Sequence, residues 1–456
     1  MDQNKDFLGT EPVGKLLVKL AVPTVVAQMI NMLYNIVDRI YIGHMPGDGS
    51  MALTGVGVCM PIIMIVTAFA MLVATGGGPR ASIFMGRGEH GKAEEILGNC
   101  FVLQMVISAL LTAVLLLWNE PLLMAFGASE NTIGYATRYM NVYAIGTVFV
   151  QLTLGMNAFI TAQGFAKTGM LSVLIGAVCN IVLDPIFIYG LNMGVEGAAL
   201  ATILSQAASC VWVVLFLFGK KTQLKLQRKF MRLTPSVVLP CIYLGTATFV
   251  MQASESVICV CFNASLLRYG GDIAVGSMTI LSSVMQFAML PMQGIGQGAQ
   301  PITSFNYGAK KPDRVRKTFR LLLGSCAVYA VVLWGGIMLF PKVFAGIFTP
   351  DEALLEFTST ALRIYCACMC LFCIQNACQL TFVSLGKAGS SIIVAVFRKF
   401  IMLLPLIYLL PMFAQDDAGK TLAVYAAEPV ADFIAVTFTA ILFGIQFKKT
   451  MAQIEK

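Results

Sequence analysis

Residues 54–83 read TGVGVCMPIIMIVTAFAMLVATGGGPRASI and contain a single charged side chain, Arg80. About 20 consecutive apolar residues are enough for a helix to cross a bilayer core of roughly 30 Å. Such runs recur along all 456 residues, of which 58% are hydrophobic and 12% charged, and the mean hydropathy is +0.80. A soluble domain has about 25% charged residues, and an outer-membrane barrel would show short alternating segments instead. The sequence therefore predicts an all-α polytopic membrane protein.

Apolar runs of this kind predict twelve transmembrane spans. The first run continues from a polar N-terminal segment into a full span, so we expect the first helix to be retained rather than cleaved as a signal peptide. Some runs exceed what a bilayer needs, and those helices should tilt or project beyond it. The spans lie near 16–43, 54–83, 94–118, 132–161, 169–190, 196–218, 236–266, 273–304, 315–340, 354–384, 390–411 and 422–446.

Lysine and arginine are concentrated in every second loop, most densely at 220–232 and 310–320. The positive-inside rule therefore places both termini in the cytoplasm and predicts a multi-pass protein of the cell inner membrane. The basic residues stand in short blocks between apolar spans. The net charge of +8 therefore indicates an anionic membrane surface, and not nucleic acid, as the partner.

The second half of the chain repeats features of the first at a spacing of 220 residues. The matching pairs are Gly76 and Gly296, Gly78 and Gly298, Gly88 and Gly308, Lys167 and Lys387, and Pro185 and Pro405. Each half has an even number of spans, so the repeat is parallel and its axis lies along the membrane normal. Secondary transporters use this arrangement with the substrate site between the halves, although a duplicated structural bundle or a channel would also show it. We expect an N-terminal six-helix bundle at 1–218, a basic cytoplasmic linker at 219–233 and a C-terminal six-helix bundle at 234–456.

Two acids stand inside otherwise apolar spans. Asp38 lies in MINMLYNIVDRIYIG (29–43) and Asp184 in VCNIVLDPIFIYG (178–190). A charge in hydrocarbon is costly unless it has a partner or a function. Counting 1.5 Å per residue from the span ends places Asp38, Asp184 and Thr202 in one layer, roughly 7–10 Å below the outer surface. A spacing of four residues adds Tyr34 to the face of Asp38 and Asn180 to the face of Asp184.

This polar cluster has the oxygen ligands that suit a proton or a hard cation such as Na⁺. Two carboxylates in a dry pocket disfavour double ionisation, and a shared proton or Na⁺ would relieve their repulsion. The alternative is that Asp38 pairs with Arg39, although adjacent helical residues do not face each other. We predict a cation-coupling site, which the second half lacks, and no cofactor beyond the coupling ion. Its residues are Tyr34, Asp38, Asn180, Asp184 and Thr202, with the last four as the ligands of a possible Na⁺.

Five segments resemble the multidrug and toxic compound extrusion (MATE) family, and its DinF-like branch most. They are NMLYNIVDRIYIG, NIVLDPIFIYG, GRGEHGKA, YGAKKPDRV and GVEGAALAT, and the resemblance covers nearly the whole chain. It implies two six-helix bundles that rock about a central cavity and export bulky, often cationic compounds in exchange for H⁺ or Na⁺. By position, the family's N-lobe cation site falls on Asp38, Asn180, Asp184 and Thr202. Tyr34 and Asn157 match positions near its N-lobe drug pocket.

The sequence departs from the family pattern on the seventh helix. A branch with an essential acid there would place it near Gln252, whereas the acid here is Glu255, which could attract a cationic drug or form a local salt bridge. Glu428 and Asp432 share a face of the last helix, and Arg398 and Lys399 in the eleventh could neutralise them. Pairing of this kind is the favoured interpretation over substrate contact. The candidate substrate-binding residues are Asn31, Tyr34, Asn157, Gln252, Glu255 and Glu428.

The favoured function is an antiporter for hydrophobic or cationic drugs, acting as a monomer. A lipid-linked saccharide flippase of related fold is the main alternative, and it would need a basic cavity for pyrophosphate. Only Arg398 and Lys399 favour it, and the acid-rich N-terminal half argues against it. An enzyme is disfavoured because no HExxH or GxSxG motif is present. A passive channel fits a titratable internal site less well.

Overall fold

The computed structural model describes residues 7–45, 49–348 and 351–455, which form helices and no strands. Within these residues nine helices are long and apolar enough to cross a membrane, and two bent helix pairs raise the number to eleven. One of the nine, Pro235–Gly308, breaks at Gly271, where a φ of 62° and a ψ of −159° are accessible only to glycine. It therefore counts as two spans, and the prediction of twelve transmembrane helices is confirmed.

The twelve helices are numbered α1 to α12 in chain order. Their bounds are Val13–Gly43 (α1), Gly49–Gly86 (α2), His90–Leu117 (α3), Ile133–Ile145 with Thr147–Ala162 (α4), Ala166–Gly190 (α5), Gly194–Phe218 (α6), 235–270 (α7), 272–308 (α8), Pro312–Leu339 (α9), Glu352–Tyr365 with Met369–Ser384 (α10), Ala388–Phe413 (α11) and Asp417–Glu455 (α12). The last helix continues to Glu455, beyond the predicted end of its span at residue 446. Its final turns are more polar than the span but remain helical.

The two halves share irregular features at equivalent places. The fourth helix of each half is bent, by 56° in α4 and by 45° in α10. The fifth helix of each half contains a π-helical segment, Ile186–Gly190 in α5 and Phe397–Leu403 in α11. Pro185 and Pro405 stand beside these segments, where the missing proline N–H interrupts the regular hydrogen bonds. The protein consists of two six-helix bundles.

Both ends of the described part of the chain lie at one end of the molecule, called here the terminal end. Arg314, in the first turn of α9, donates from Nη2 to the Leu8 carbonyl oxygen over 3.0 Å. Two residues further on, Arg316 donates from Nη2 to Glu455 Oε1 over 2.5 Å. The start and the end of the described chain therefore both contact the beginning of α9.

The hydrophobic cores show where the bundles join. At the terminal end one core combines both halves and includes Leu20 of α1 and Ile302 of α8. At the opposite end each half has a core of its own, one around Tyr143 and one around Phe262 and Tyr425. The apolar side chains of the two bundles therefore pack together at the terminal end. At the opposite end each bundle packs only its own apolar side chains.

Glycines allow the bundles to approach closely at the terminal end. A Cβ added to Gly76 of α2 would lie 1.9 Å from the carbonyl oxygen of Cys241 in α7, and one on Gly245 would lie 1.8 Å from that of Leu72. No side chain fits at such distances. On the other side of the interface, a Cβ added to Gly298 of α8 would lie 2.5 Å from the Cα of Ala21 in α1. We call this contact of α2 and α8 with α7 and α1 the glycine seam.

The predicted linker is fixed to the N-terminal half. The buried Oε1 of Gln163 accepts hydrogen bonds from Thr222 Oγ1 and from the backbone N–H groups of Gln223 and Leu224, at 2.8–2.9 Å. Asn99 Oδ1 accepts a further bond from the Thr234 N–H over 2.7 Å. Hydrogen bonds therefore hold the linker against the N-terminal bundle up to the start of α7.

Candidate functional site

The two acids lie side by side between α1 and α5. Asp38 is 6% exposed and Asp184 is 0% exposed. Their carboxyl groups are within hydrogen-bonding reach of each other, and Asn180 Nδ2 donates to Asp184 Oδ1 over 3.3 Å. The structure thus brings together three residues that depth and spacing placed in one layer. Their role in coupling stays a prediction.

Three buried oxygens of this cluster have no hydrogen-bond partner among the described residues. They are Asp38 Oδ1, Asn180 Oδ1 and Asp184 Oδ2. Buried polar atoms in folded proteins are nearly always satisfied, because an unmade hydrogen bond costs about 1–3 kcal/mol and more for a charged group. Arg39 is exposed and leaves Asp38 Oδ1 without a partner. These three acceptor oxygens have no donor among the described residues, an arrangement that suits a proton or a small cation.

Irregular backbone positions Asp184. The residue precedes Pro185, which has no N–H, and a π-helical turn follows at Ile186–Gly190. Turns of this kind are frequent at functional sites because the widened ring redirects side chains. The Tyr189 hydroxyl then donates to the Tyr41 carbonyl oxygen over 2.6 Å. This bond holds the end of α5 against the end of α1, the helix that carries Asp38.

Hydroxyl and amide side chains surround the acids. Tyr34 is half-buried beside Gln206 of α6, and Thr202, also on α6, donates from Oγ1 to the Ala198 carbonyl oxygen over 3.0 Å. Tyr139 of α4 is 2% exposed, lies beside Thr202 and is close enough to interact with Asp38. Sequence reasoning missed Tyr139 and Gln206. Gln206 follows Thr202 by four residues and shares its face, so helical spacing could have found it.

Two candidate substrate-binding residues of the N-terminal half, Asn31 and Asn157, lie in other layers than the acids. Asn157 Nδ2 donates to the Gly169 carbonyl oxygen over 3.3 Å, and its Oδ1 has no partner among the described residues. Gly169 precedes Asn180 by three turns of α5, about 16 Å along the axis, so Asn157 is remote from the acids. Asn31 is exposed on α1, and Gln252 is half-buried on α7.

The C-terminal half contains a compact cluster of ion pairs. Arg398 is 5% exposed and donates from Nε to Asp432 Oδ1 over 2.7 Å and from Nη2 to Glu428 Oε1 over 2.8 Å. Lys399, 4% exposed, donates from Nζ to Glu255 Oε1 over 2.6 Å. Both basic side chains are buried although they are neighbours, and they stand in the π-helical segment of α11. Arg398 thus neutralises Glu428 and Asp432 as suggested, whereas Lys399 binds Glu255.

The family model called MatE matches two parts of the chain, residues 23–186 and 247–409. Curated relatives agree with this match. The multidrug export protein MepA of Staphylococcus haemolyticus is 23% identical over 439 residues, which is 95% of each chain. MepA of Staphylococcus aureus is 22% identical over 370 residues, 81% of each chain.

Solved structures share the fold. A multidrug resistance MATE family transporter in an outward-facing conformation aligns with a TM-score of 0.91, at 21% identity over 98% of both chains. A transporter of the MOP superfamily from Pyrococcus furiosus aligns with a TM-score of 0.89, at 22% identity over 100% of this chain and 99% of that one. The DinF-like branch stays a prediction. Because the family model covers well over half of its residues, the chain belongs to the MatE family, whose members are transporters and not enzymes.

Proposed function

We propose that this protein is a secondary active multidrug exporter that exchanges bulky, often cationic compounds for H⁺ or Na⁺. Relatives named multidrug export proteins support the substrate class. The observation that carries the coupling proposal is the contact of Asp38 with Asp184 and its unpartnered oxygens. Two carboxylates that touch away from water repel each other unless a proton or a cation lies between them. A bound cation would therefore stabilise this arrangement of α1 and α5.

The cores support transport by alternating access. One shared core and the glycine seam close the terminal end, while the bundles have separate cores at the opposite end. A ligand shifts such an equilibrium only through different affinities for the two states. In our proposal a cation from outside binds the acids and favours drug release outward, and its discharge to the inside resets the transporter.

The substrate is proposed to bind between the bundles. Glu255 has the only carboxylate of the C-terminal ion-pair cluster that is more than half exposed, at 52% of its side chain. Asn31 and Gln252 would line the same space, with Tyr34 and Asn157 on the N-terminal side. Glu428 is buried behind Arg398, so its influence on substrate would be indirect.

The proposed topology follows the distribution of basic residues. Both termini lie in the cytoplasm, the protein resides in the cell inner membrane, and it acts as a monomer. The moving units are the bundles 1–218 and 234–456, joined at 219–233. A saccharide flippase is not favoured, because the two cations it would need for pyrophosphate, Arg398 and Lys399, are already bound to carboxylates.

Gradient-driven efflux from liposomes tests the coupling site. We expect wild-type protein to export a fluorescent organic cation under a pH or Na⁺ gradient, and Asp38→Asn and Asp184→Asn each to lower that rate at least tenfold. Each substitution removes a charge that the cation must balance. Asp416→Asn, at an exposed carboxylate, is the matched control and should retain the wild-type rate. Undiminished gradient-driven efflux in both acid variants would overturn the assignment.

Thr202→Val separates the two candidate ions. The substitution removes one ligand oxygen and preserves shape and charge. A site that holds Na⁺ should need roughly tenfold more Na⁺ for half-maximal efflux, since a hard cation depends on its oxygen ligands. A site that holds only a proton on the acids should keep its pH dependence. Titrating efflux against Na⁺ at constant pH, and against pH without Na⁺, distinguishes the two results.

A further inference from the structure

A basic cleft lies between α9 and α12 near the terminal end. Its volume is about 350 Å³, and its lining includes Arg316, Phe319, Arg320, Gly444, Phe447 and Lys448. None of these residues belongs to the acid site or to the C-terminal ion-pair cluster. Arg320, Gly444 and Lys448 are exposed, so the cleft opens on the outside of the helix bundle.

Among the described residues, two cations of the cleft have no acidic partner. Arg316 is neutralised, because it donates to Asp313 Oδ1 over 3.3 Å and to Glu455 Oε1 over 2.5 Å. Arg320 and Lys448 form no ion pair with any described residue. The rim is therefore positive even after its acidic neighbours are taken into account.

The floor of the cleft is apolar and accessible. The ring of Phe319 stacks on Phe443 at 4.5 Å between centroids and packs at a tilt against Phe447 at 5.4 Å. Between these positions Gly444 leaves open space, since an added Cβ would meet nothing within 4 Å. Farther into the membrane, Ile441 is 60% exposed, so the apolar surface continues along the helix.

The cleft lies near the end of α9 at which the predicted span 315–340 begins. Arg320 is about two turns from the start of α9 at Pro312, roughly 12 Å along the axis. Basic pockets between transmembrane helices at this level bind anionic lipid headgroups. A free anion would need only the positive rim, whereas a lipid also uses the aromatic floor and the lateral opening.

We propose that this cleft binds a phospholipid with an anionic headgroup. Its phosphate lies against Arg320 and Lys448, and its glycerol and first acyl carbons cover Phe319 and Phe447. The site is separate from the proposed drug and cation sites, so the result of its test does not depend on the proposed function.

Native mass spectrometry of the full chain in detergent tests this site with phosphatidylglycerol and phosphatidylcholine as probes. We expect wild-type protein to retain phosphatidylglycerol preferentially. The double variant Arg320→Gln with Lys448→Gln should bind phosphatidylglycerol roughly tenfold more weakly, since it removes the two cations of the lining that would contact the phosphate. Its phosphatidylcholine binding should not change.

Two further variants distinguish specific binding of the lipid in the cleft from nonspecific attraction of an anionic lipid to a basic surface. Gly444→Leu fills the floor without altering charge and should also weaken phosphatidylglycerol binding. Lys449→Gln removes a charge just outside the lining and should have little effect. Equal losses in Lys449→Gln and the double variant, or undiminished binding in Gly444→Leu, would overturn the proposal. Displacement of the lipid by millimolar inorganic phosphate would assign the cleft to a free anion and would also overturn it.

Discussion

Replacing Arg398 with methionine is expected to lower the free energy of unfolding by about 3–5 kcal/mol, the largest loss for any single substitution in the C-terminal bundle. Removing one partner of a buried ion pair leaves an uncompensated charge away from water. Here two carboxylates, Glu428 and Asp432, would be left at 5% and 2% exposure. The guanidinium also lies 4.7 Å from the ring centroid of Phe372, so its packing is lost as well.

Thermal denaturation in detergent measures this loss. The variant should melt on the order of 10 °C below the wild type at neutral pH. Its deficit should shrink as the pH falls, because protons can then neutralise the carboxylates that the guanidinium no longer balances. Adding Glu428→Gln and Asp432→Asn to Arg398→Met should recover part of the stability. Replacing all members of a buried ion-pair network by uncharged residues often changes the free energy of unfolding little.

Lys399→Met is the matched control for Arg398→Met. Its partner Glu255 keeps 52% of its side chain exposed and can be hydrated, so we expect a loss of about 1 kcal/mol or less. Equal losses in the two variants, or a wild-type melting temperature for Arg398→Met, would contradict the view that the Arg398 ion pairs hold this bundle together.

Gly76→Ala is expected to block the transport cycle and to open the terminal end. Its new Cβ would lie 1.9 Å from the Cys241 carbonyl oxygen, a backbone atom that cannot move aside as a flexible side chain would. The bundles must then separate at the glycine seam. Under alternating access the closed terminal end is one of two required states, so its loss should reduce efflux at least tenfold.

Maleimide labelling reports the opening directly. Cys100 and Cys241 are both 0% exposed at the seam, and they should become reactive in Gly76→Ala. Peptide mass spectrometry resolves these two from the other cysteines, which serve as internal references. Gly57→Ala on the same helix is the control, since its Cβ meets nothing within 4 Å. Unchanged labelling together with wild-type efflux in Gly76→Ala would show that the seam does not have to close so tightly.

Much of the fold could be predicted because a bilayer imposes simple rules. Length and hydropathy predicted twelve helices, and the 220-residue spacing predicted the repeat that the bent fourth helices and the π-helical segments display in both halves. Helix ends outside the hydrocarbon could not be predicted in the same way. The last helix continues to Glu455 because polar turns at a membrane surface can remain helical.

Part of the candidate site could also be predicted, because charged residues within a membrane span are easily recognised in the sequence. A carboxylate in an apolar run is visible in the sequence, and helical rise converts its position into depth, so Asp38 and Asp184 could be assigned to one layer. Tyr139 was not recognised because tyrosines are common in membrane helices. Its relation to Thr202 depends on how the bent α4 packs against α6.

By itself, the sequence determined the number of helices, the duplication of the bundle and the placement of two acids in one layer, because each follows from local hydrophobicity or from positions along a helix. Only the tertiary structure decided which charges are neutralised. Arg398 and Lys399 are adjacent in the chain, yet a π-helical segment of α11 buries both and gives them different partners. Partner choice depends on the packing of three separate helices, α7, α11 and α12, and spacing within any one of them carries no information about it.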